Sequence, residues 1–128
     1  MLEGKLSCYM IYQDDDCIVI LDRYPIDNGH SLIITKKPYE KLTDMNVNEV
    51  AKLFSKIPKI AKAIIKATNA DAFTIAQNNG KAAKQIVPHV HVHIIPRYNM
   101  TETLWTKRKI LTENELDELA QKIKNCLE

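Results

Sequence analysis

Long apolar runs are missing from this sequence of 128 residues. No stretch approaches the roughly 20 apolar residues that a membrane-spanning helix needs, and the first ten residues, MLEGKLSCYM, lack the apolar segment of a secretory signal peptide. We therefore expect no membrane partner and a cytoplasmic location, with the nucleus also possible in a eukaryotic cell. Repeats, low-complexity segments and linkers are missing as well, so residues 1–128 are predicted to form a single domain.

Cysteine and net charge are also scarce. The three cysteines are Cys8, Cys17 and Cys126, and they form no C-x-x-C pair. Their odd number and wide spacing do not indicate a disulfide framework. The formal net charge is only +2, which argues against nucleic acid as the main partner.

The apolar pattern changes from strand-like to helical and back along the chain. Two short β-forming runs, SCYMIYQ and CIVILD, flank an acidic turn and predict a hairpin, and HSLIITK, DAFTIAQ and HVHVHII predict three further strands. Helical spacing predicts one helix over residues 46–68, which Pro58 kinks or interrupts. A second helix is expected from the capping box of Thr112 and Glu115. The order of elements predicts an α+β fold, a five-stranded antiparallel sheet with two helices on one face.

Histidine is rare in the chain, with four residues, yet three of them lie in the stretch HVHVHIIPR. Alternate side chains of a strand share a face, which places His89, His91 and His93 together and the intervening apolar residues towards the core. Neutral imidazoles serve nucleophilic or acid–base catalysis, and they also bind metals. Three interpretations remain open at this point: a solvated polar face, a zinc site made by the three histidines, and a catalytic site.

A polar loop, QNNGKAAKQ, precedes the histidine stretch. Its backbone N–H groups around Gly80, its amides and its lysines can bind an anion, although an ordinary polar turn has the same composition. Beside a row of histidines we favour a phosphate site. The fourth histidine, His30, follows Asn28 and Gly29 at the start of the third strand. Considered alone, its position predicts a structural or exposed residue rather than a catalytic one.

The run His89-Val-His91-Val-His93-Ile-Ile resembles the signature of the histidine triad (HIT) nucleotide-binding family. The segments IYQDDDCIVILDRYPIDNGHSLIITKK and QNNGKAAKQIVPHVHVHIIPR resemble the N-terminal and catalytic blocks of that family, so the resemblance covers nearly the whole chain. It implies a hydrolase that cleaves a P–N or P–O bond at the α-phosphorus of a purine nucleotide. The reaction would proceed through a covalent nucleotidyl-histidine, with no metal and no other cofactor. The resemblance also implies a homodimer whose sheet extends across both subunits.

The resemblance assigns roles to individual residues. His91 matches the nucleophile, and His93 matches the residue that contacts the phosphate and helps to protonate the leaving group. His89 supplies a carbonyl that fixes the tautomer of His91, and His30 matches a distal histidine that buttresses the site. The residues assigned to phosphate binding are Asn78, Gln85 and Lys84, and those assigned to the ribose and base are Asp22, Ile20 and Leu32.

Two positions depart from the family pattern. Lys84 stands where the family commonly has glycine, and Ile86 stands where it commonly has a serine or threonine that helps with the phosphate or the leaving group. The catalytic block and the following Trp105 look most like the Hint-type nucleoside phosphoramidases. A Fhit-like hydrolase of dinucleoside polyphosphates is the alternative, and the missing hydroxyl at Ile86 also leaves room for a nucleotide-binding interaction protein with weak catalysis.

Overall fold

The computed structural model describes residues 9–99 and 111–127, so Cys8 and Trp105 lie outside the described residues. Five strands form one antiparallel sheet in the order β1-β2-β3-β5-β4. The strands are β1 (Met10–Gln13), β2 (Cys17–Leu21), β3 (Ser31–Thr35), β4 (Ala72–Ala76) and β5 (His91–Arg97), and the helices are α1 (Val47–Ser55), α2 (Ile57–Thr68) and α3 (Glu113–Cys126). The predicted α+β architecture is confirmed. In the described part of the chain, no helix is long and apolar enough to cross a membrane.

The predicted long helix is divided into α1 and α2 at Lys56, as expected from Pro58. This proline lies in the first turn of α2, where its missing N–H costs no helical hydrogen bond. The predicted capping box of Thr112 and Glu115 opens α3, with the side chain of each residue bonded to the backbone N–H of the other. Local signals of this kind explain why both helical regions could be placed from the sequence.

The two faces of the sheet carry two separate apolar clusters. Alternate residues of the central strands pack with α2 and α3 into the main core, which includes Val19, Ile33, Val92, Ile64 and Leu116. A smaller cluster on the opposite face consists of Ile20, Leu32 and Ile34, with Met10 and Ile18 packed against it. In the ladder between β3 and β5, Leu32 pairs with His93 and Ile34 pairs with His91. Both histidines therefore lie on the face that the helices leave open.

Strand β5 continues past Pro96, where the sequence predicted that it would end. The carbonyl of Arg97 accepts a hydrogen bond from the N–H of Asp71 on the β4 side. Because neighbouring residues of a strand direct their backbone groups to opposite sides, Pro96 directs its backbone towards the β3 side. Pairing with β3 has already ended at Ile94. The missing N–H of Pro96 therefore removes no ladder hydrogen bond.

Candidate active site

His91 begins β5, and the backbone just before the strand fixes its ring. Its Nδ1 lies 2.7 Å from the carbonyl oxygen of His89. A carbonyl can only accept a hydrogen bond, so Nδ1 carries the proton and the neutral ring has its lone pair on Nε2. The hydrogen bond that the family resemblance implied is present. It leaves Nε2 of His91 in the form that a nucleophile requires.

His89 lies outside β5, which corrects the prediction that all three motif histidines line one strand. The chain bends before the strand, with the N–H of His89 donating to the carbonyl of Val87 at 2.8 Å. The His89 ring reaches the end of β3, where its Nε2 donates to the carbonyl oxygen of Thr35 at 2.7 Å. The ring proton of His89 is thus used in this hydrogen bond. The bond anchors the segment in which the carbonyl oxygen of His89 accepts from Nδ1 of His91.

His30 is fully buried, and a chain of hydrogen bonds determines its protonation. The backbone N–H of Ile26 donates to its Nδ1 at 3.0 Å, so the ring proton of His30 lies on Nε2. That nitrogen is 2.9 Å from Nδ1 of His93, which must therefore accept. A proton on Nδ1 of His93 would face the proton of His30, so His93 is neutral and carries its one ring proton on Nε2. The structure thus brings His30 into the site.

The loop that carries this distal histidine is closely packed against α2 and β5. Gly29 has a φ of +92°, and a Cβ at this position would lie 2.9 Å from Cγ2 of Thr68 and 3.1 Å from Cγ of Pro96. Glycine is required here both by its backbone conformation and by the lack of space. The hydroxyl of Tyr98 donates to the carbonyl of Asn28 at 2.6 Å. These contacts hold the loop in place.

The residues assigned to the ribose and base lie beside the two strand histidines. Ile20 and Leu32 pack together in the smaller apolar cluster, and Leu32 pairs directly with His93. Asp22 follows β2 two residues after Ile20, and its Oδ2 lies 3.7 Å from Nε2 of His30. An apolar surface, a carboxylate and the histidines therefore share one site.

Comparison with known proteins agrees with this geometry. Residues 3–100 match the family model of the HIT domain. The chain belongs to the HIT family. Adenylylsulfatase HINT3 of Arabidopsis thaliana is 40% identical over 128 residues, which is 99% of this chain, and the chain spans 64% of the length of that relative. Adenosine 5′-monophosphoramidase hnt1 of Schizosaccharomyces pombe is 31% identical over 99 residues, which is 77% of this chain and 71% of that protein.

Solved HIT structures share the fold. A HIT-like protein of Bartonella henselae, described as involved in cell-cycle regulation, superimposes with a TM-score of 0.83 at 38% sequence identity. The match covers 92% of this chain and 86% of that chain. The family and the five-stranded architecture that the sequence predicted are both confirmed.

One group of side chains in this HIT domain has the spacing of a metal site. Among the described residues, Asp22, His30 and His93 place one ligand atom each within 4.8 Å of one another. A metal needs a lone pair on Nε2 of His30, whereas the N–H of Ile26 keeps the proton on that nitrogen. The hydrogen bonds fit a chain of neutral histidines better than a set of metal ligands. The zinc interpretation requires His89, His91 and His93 to share one ion. Among the described residues, these three histidines do not form a group with the spacing of a metal site.

The polar loop before the HIT motif is held together by its own amides. Gln85 is buried, its Oε1 accepts from the N–H of Gly80 at 2.6 Å, and its Nε2 donates to the carbonyl of Glu40 at 2.6 Å. Both ends of this amide are engaged, so Gln85 has a framework role in the loop, and its contact with phosphate stays a prediction. Asn79 has a similar role, since its Oδ1 accepts from the N–H of Leu42 at 2.7 Å. Sequence reasoning missed Asn79, because no local pattern marks such a long-range contact.

The other candidates in the loop are more accessible. Asn78 is half-buried, and its side chain forms no hydrogen bond with the rest of the described chain. Lys84 is exposed and has a φ of 69°, the left-handed conformation that glycine adopts most easily. This conformation explains why glycine suits the position in the HIT pattern. Ile86 is 89% exposed, so no packing requirement accounts for an apolar residue there.

Proposed function

We propose that this HIT protein is a nucleotide hydrolase in which His91 forms a covalent bond to the α-phosphorus of its substrate. The lone pair on Nε2 attacks phosphorus, the bond to the leaving group breaks, and water then releases a nucleoside monophosphate. The observation that carries the proposal is the 2.7 Å hydrogen bond from Nδ1 of His91 to the carbonyl of His89. It holds the ring in the tautomer that exposes the nucleophilic nitrogen.

The bound group is a purine nucleotide of the AMP type in this proposal. Ile20 and Leu32 supply an apolar surface for the base, and the carboxylate of Asp22 accepts hydrogen bonds from the ribose hydroxyls. Asn78 and the N–H on Nε2 of His93 donate to the phosphate oxygens, where negative charge develops. The plant relative is an adenylylsulfatase and the fission-yeast relative an adenosine 5′-monophosphoramidase. Both names describe an adenylyl group joined to its leaving group by a P–O or P–N bond. We extend this feature to the substrate of this chain.

We also propose that two copies pair through β4 to form a homodimer. This strand is an edge of the sheet, and the apolar side chains of Phe73 and Ile75 are 42% and 37% exposed. Ile75 pairs with Ile94 of the main core, so both side chains lie on the face that carries α2. An exposed apolar edge strand is a template for pairing with another strand. Pairing of β4 with its symmetry mate would join two sheets into one.

The experiment combines product analysis with trapping of the intermediate. The protein is incubated with adenosine 5′-phosphoramidate, adenylyl sulfate or a diadenosine polyphosphate, with and without a chelator, and quenched for mass spectrometry. We expect AMP as a product, an adenylyl group on His91, and full activity after chelation, because the attack uses an imidazole rather than a metal-bound hydroxide. Activity that the chelator abolished and zinc restored would contradict the mechanism.

Two other outcomes of this experiment would favour the alternatives. A strong preference for the diadenosine polyphosphate would favour the Fhit-like activity. Tight AMP binding without turnover of any substrate would favour the interaction protein with weak catalysis, for which the isoleucine at position 86 is the supporting observation.

A further inference from the structure

The backbone that leads into His30 forms a tight turn, and one peptide group determines its type. The N–H of His30 donates to the carbonyl of Asp27 at 3.0 Å, which closes a four-residue turn. Gly29, the third residue of the turn, has a φ of +92°, as a type II turn requires. Types I and II differ mainly in a rotation of the central peptide group by nearly half a turn. Here that group carries the carbonyl oxygen of Asn28, so its direction distinguishes the observed turn from a flipped one.

A tyrosine directly after β5 holds this carbonyl in place. The hydroxyl of Tyr98 donates to the carbonyl oxygen of Asn28 at 2.6 Å. Burial raises the pKa of Tyr98, so the hydroxyl keeps its proton and remains a donor well above neutral pH. In a flipped turn the carbonyl of Asn28 would point away from this hydroxyl, and the hydrogen bond would be lost. The bond therefore stabilises the type II form relative to the flipped form.

Other hydrogen bonds of the turn do not make this selection. The N–H of Asn28 donates to Oδ1 of Asp27 at 2.9 Å, and the hydroxyl of Ser31 donates to the carbonyl of Gly29 at 2.8 Å. Both bonds involve the peptide groups on either side of the central one. Glycine adopts positive and negative φ about equally readily, so the backbone of Gly29 does not favour the observed form by itself. The hydrogen bond from Tyr98 acts on the central peptide group directly.

The form of the turn affects the site because His30 is its last residue. Nδ1 of His30 accepts from the N–H of Ile26 at 3.0 Å, and its Nε2 donates to Nδ1 of His93 at 2.9 Å. A flip of the central peptide group changes the path of the backbone between Ile26 and His30, so both contacts would be disturbed. His93 would then lose the donor that keeps its own ring proton on Nε2.

We propose that Tyr98 is a positioning residue for the reaction, which holds the turn before His30 in its type II form and thereby keeps His93 as a hydrogen-bond donor to the phosphate. The inference rests on the proposed function, because it assumes that His93 donates to a phosphate that His91 attacks. Tyr98 itself does not contact the substrate in this scheme. Its effect reaches His93 through the turn and the ring of His30.

The test removes one hydroxyl and measures rate and affinity separately. Tyr98→Phe keeps the aromatic ring and loses the donor to Asn28. The single-turnover rate is measured with the adenosine 5′-phosphate derivative that the wild type cleaves fastest. We expect it to fall by about three- to tenfold, because one net hydrogen bond changes the ratio of two conformations by up to about tenfold. The dissociation constant of adenosine, measured by calorimetry, should stay at the wild-type value, because the ribose and base contacts remain. An unchanged rate would overturn the inference.

Tyr12→Phe is the matched control. The hydroxyl of Tyr12 donates to Oδ2 of Asp14 at 2.9 Å, and Tyr12 lies in β1, at the opposite edge of the sheet from β4. This variant also removes a single phenol hydrogen bond, so it reproduces a general loss of stability without touching the turn. Its rate should equal that of the wild type. Equal reductions in the two variants would assign the effect of Tyr98 to stability alone and would overturn its positioning role.

The proton position on the ring of His93 provides a direct readout. Nitrogen-15 NMR distinguishes a protonated from an unprotonated ring nitrogen, and in the wild type the proton of His93 should lie on Nε2. In Tyr98→Phe a second population with the proton on Nδ1 should appear, and its fraction should account for the loss of rate. An unchanged ring signal of His93 would overturn the inference even if the rate fell.

The NMR measurement needs no substrate, so it separates this inference from the proposed function. Absence of an adenylyl adduct on His91 in the wild type would overturn the proposed function and, with it, the catalytic effect of Tyr98. A changed ring signal in Tyr98→Phe would still sustain the control of His93 by Tyr98. An adduct on His91 together with an unchanged ring signal would sustain the function and overturn the role of Tyr98.

Discussion

At the scale of single residues, the three motif histidines are expected to differ in their contributions to catalysis. His91→Ala removes the nucleophile and should reduce turnover by several orders of magnitude. His93→Ala removes one hydrogen-bond donor to the phosphate and should cost about 10²–10³-fold. His89→Ala should cost least, because the carbonyl that orients His91 remains. Single-turnover kinetics on the three variants provide the measurement.

A control accompanies this series. Nucleotide binding, measured by calorimetry with AMP, should survive in His91→Ala, because Asp22 and the apolar surface remain. Equal losses of turnover across the three variants, or an adduct on a different histidine, would show that the roles are assigned wrongly.

Lys84 is a residue whose backbone conformation favours another amino acid. Its φ of 69° costs a non-glycine residue roughly 1–2 kcal/mol. Lys84→Gly should therefore raise the free energy of unfolding by up to about 1 kcal/mol, after allowance for the greater freedom of glycine in the unfolded chain. Urea unfolding measures the change. Lys81→Gly in the same loop is the control and should destabilise, since Lys81 has no positive φ. Equal changes in the two variants would contradict this explanation.

At the scale of secondary-structure elements, an ion-pair network joins the β1–β2 turn to the α1–α2 junction. The ammonium of Lys56 contacts the carboxylate of Asp14 and lies 3.6 Å from that of Asp16. The N–H groups of Asp16 and Cys17 donate to Oδ1 of Asp14 at 2.8 and 3.0 Å. Burial acts to raise the pKa of Asp14, but the hydrogen bonds from Lys56 and the two backbone groups hold this pKa well below its ordinary value.

This network should make the protein less stable in acid. The folded-state pKa of Asp14 lies below the ordinary value of 3.8. The stability that ionised Asp14 contributes to the folded protein is therefore complete above about pH 4 and is lost as pH falls further. Asp14→Asn should lower the free energy of unfolding at pH 7 by about 1–3 kcal/mol. The variant should also lose less stability than the wild type between pH 7 and pH 3. Urea unfolding at both pH values is the measurement, with the exposed Asp15→Asn as control. An unchanged loss of stability in Asp14→Asn would exclude the network as its source.

The sequence predicted those parts of the structure that local patterns determine. Pro58 marked the division of the first helix, and alternation placed His91 and His93 on one face. The framework roles of Asn79 and Gln85 depend on backbone partners 37 and 45 positions away, and no local pattern encodes such distances. The proton positions on the histidines likewise require the hydrogen bond from Ile26, which became visible only with the folded loop.

At the scale of the whole molecule, the exposed edge strand β4 predicts assembly. We expect sedimentation to show a dimer at micromolar concentration. Ile75→Lys should shift it to a monomer, because a charge on the apolar edge opposes pairing of two strands. Val47→Lys is a matched control, since Val47 is 83% exposed at the start of α1 and lies outside β4. A monomeric wild-type protein would refute the dimer.

The hydrogen bond between Ile26 and His30 also has a consequence for isotope exchange. The amide proton of Ile26 is bound to a ring nitrogen in a buried loop, so exchange with deuterium requires that loop to open. The same opening releases the ring of His30 and, through it, the proton arrangement of His93. Deuterium uptake at this one amide therefore reports how often the ligand-free site loses its arrangement. Slow uptake would indicate a site that is organised before any nucleotide binds.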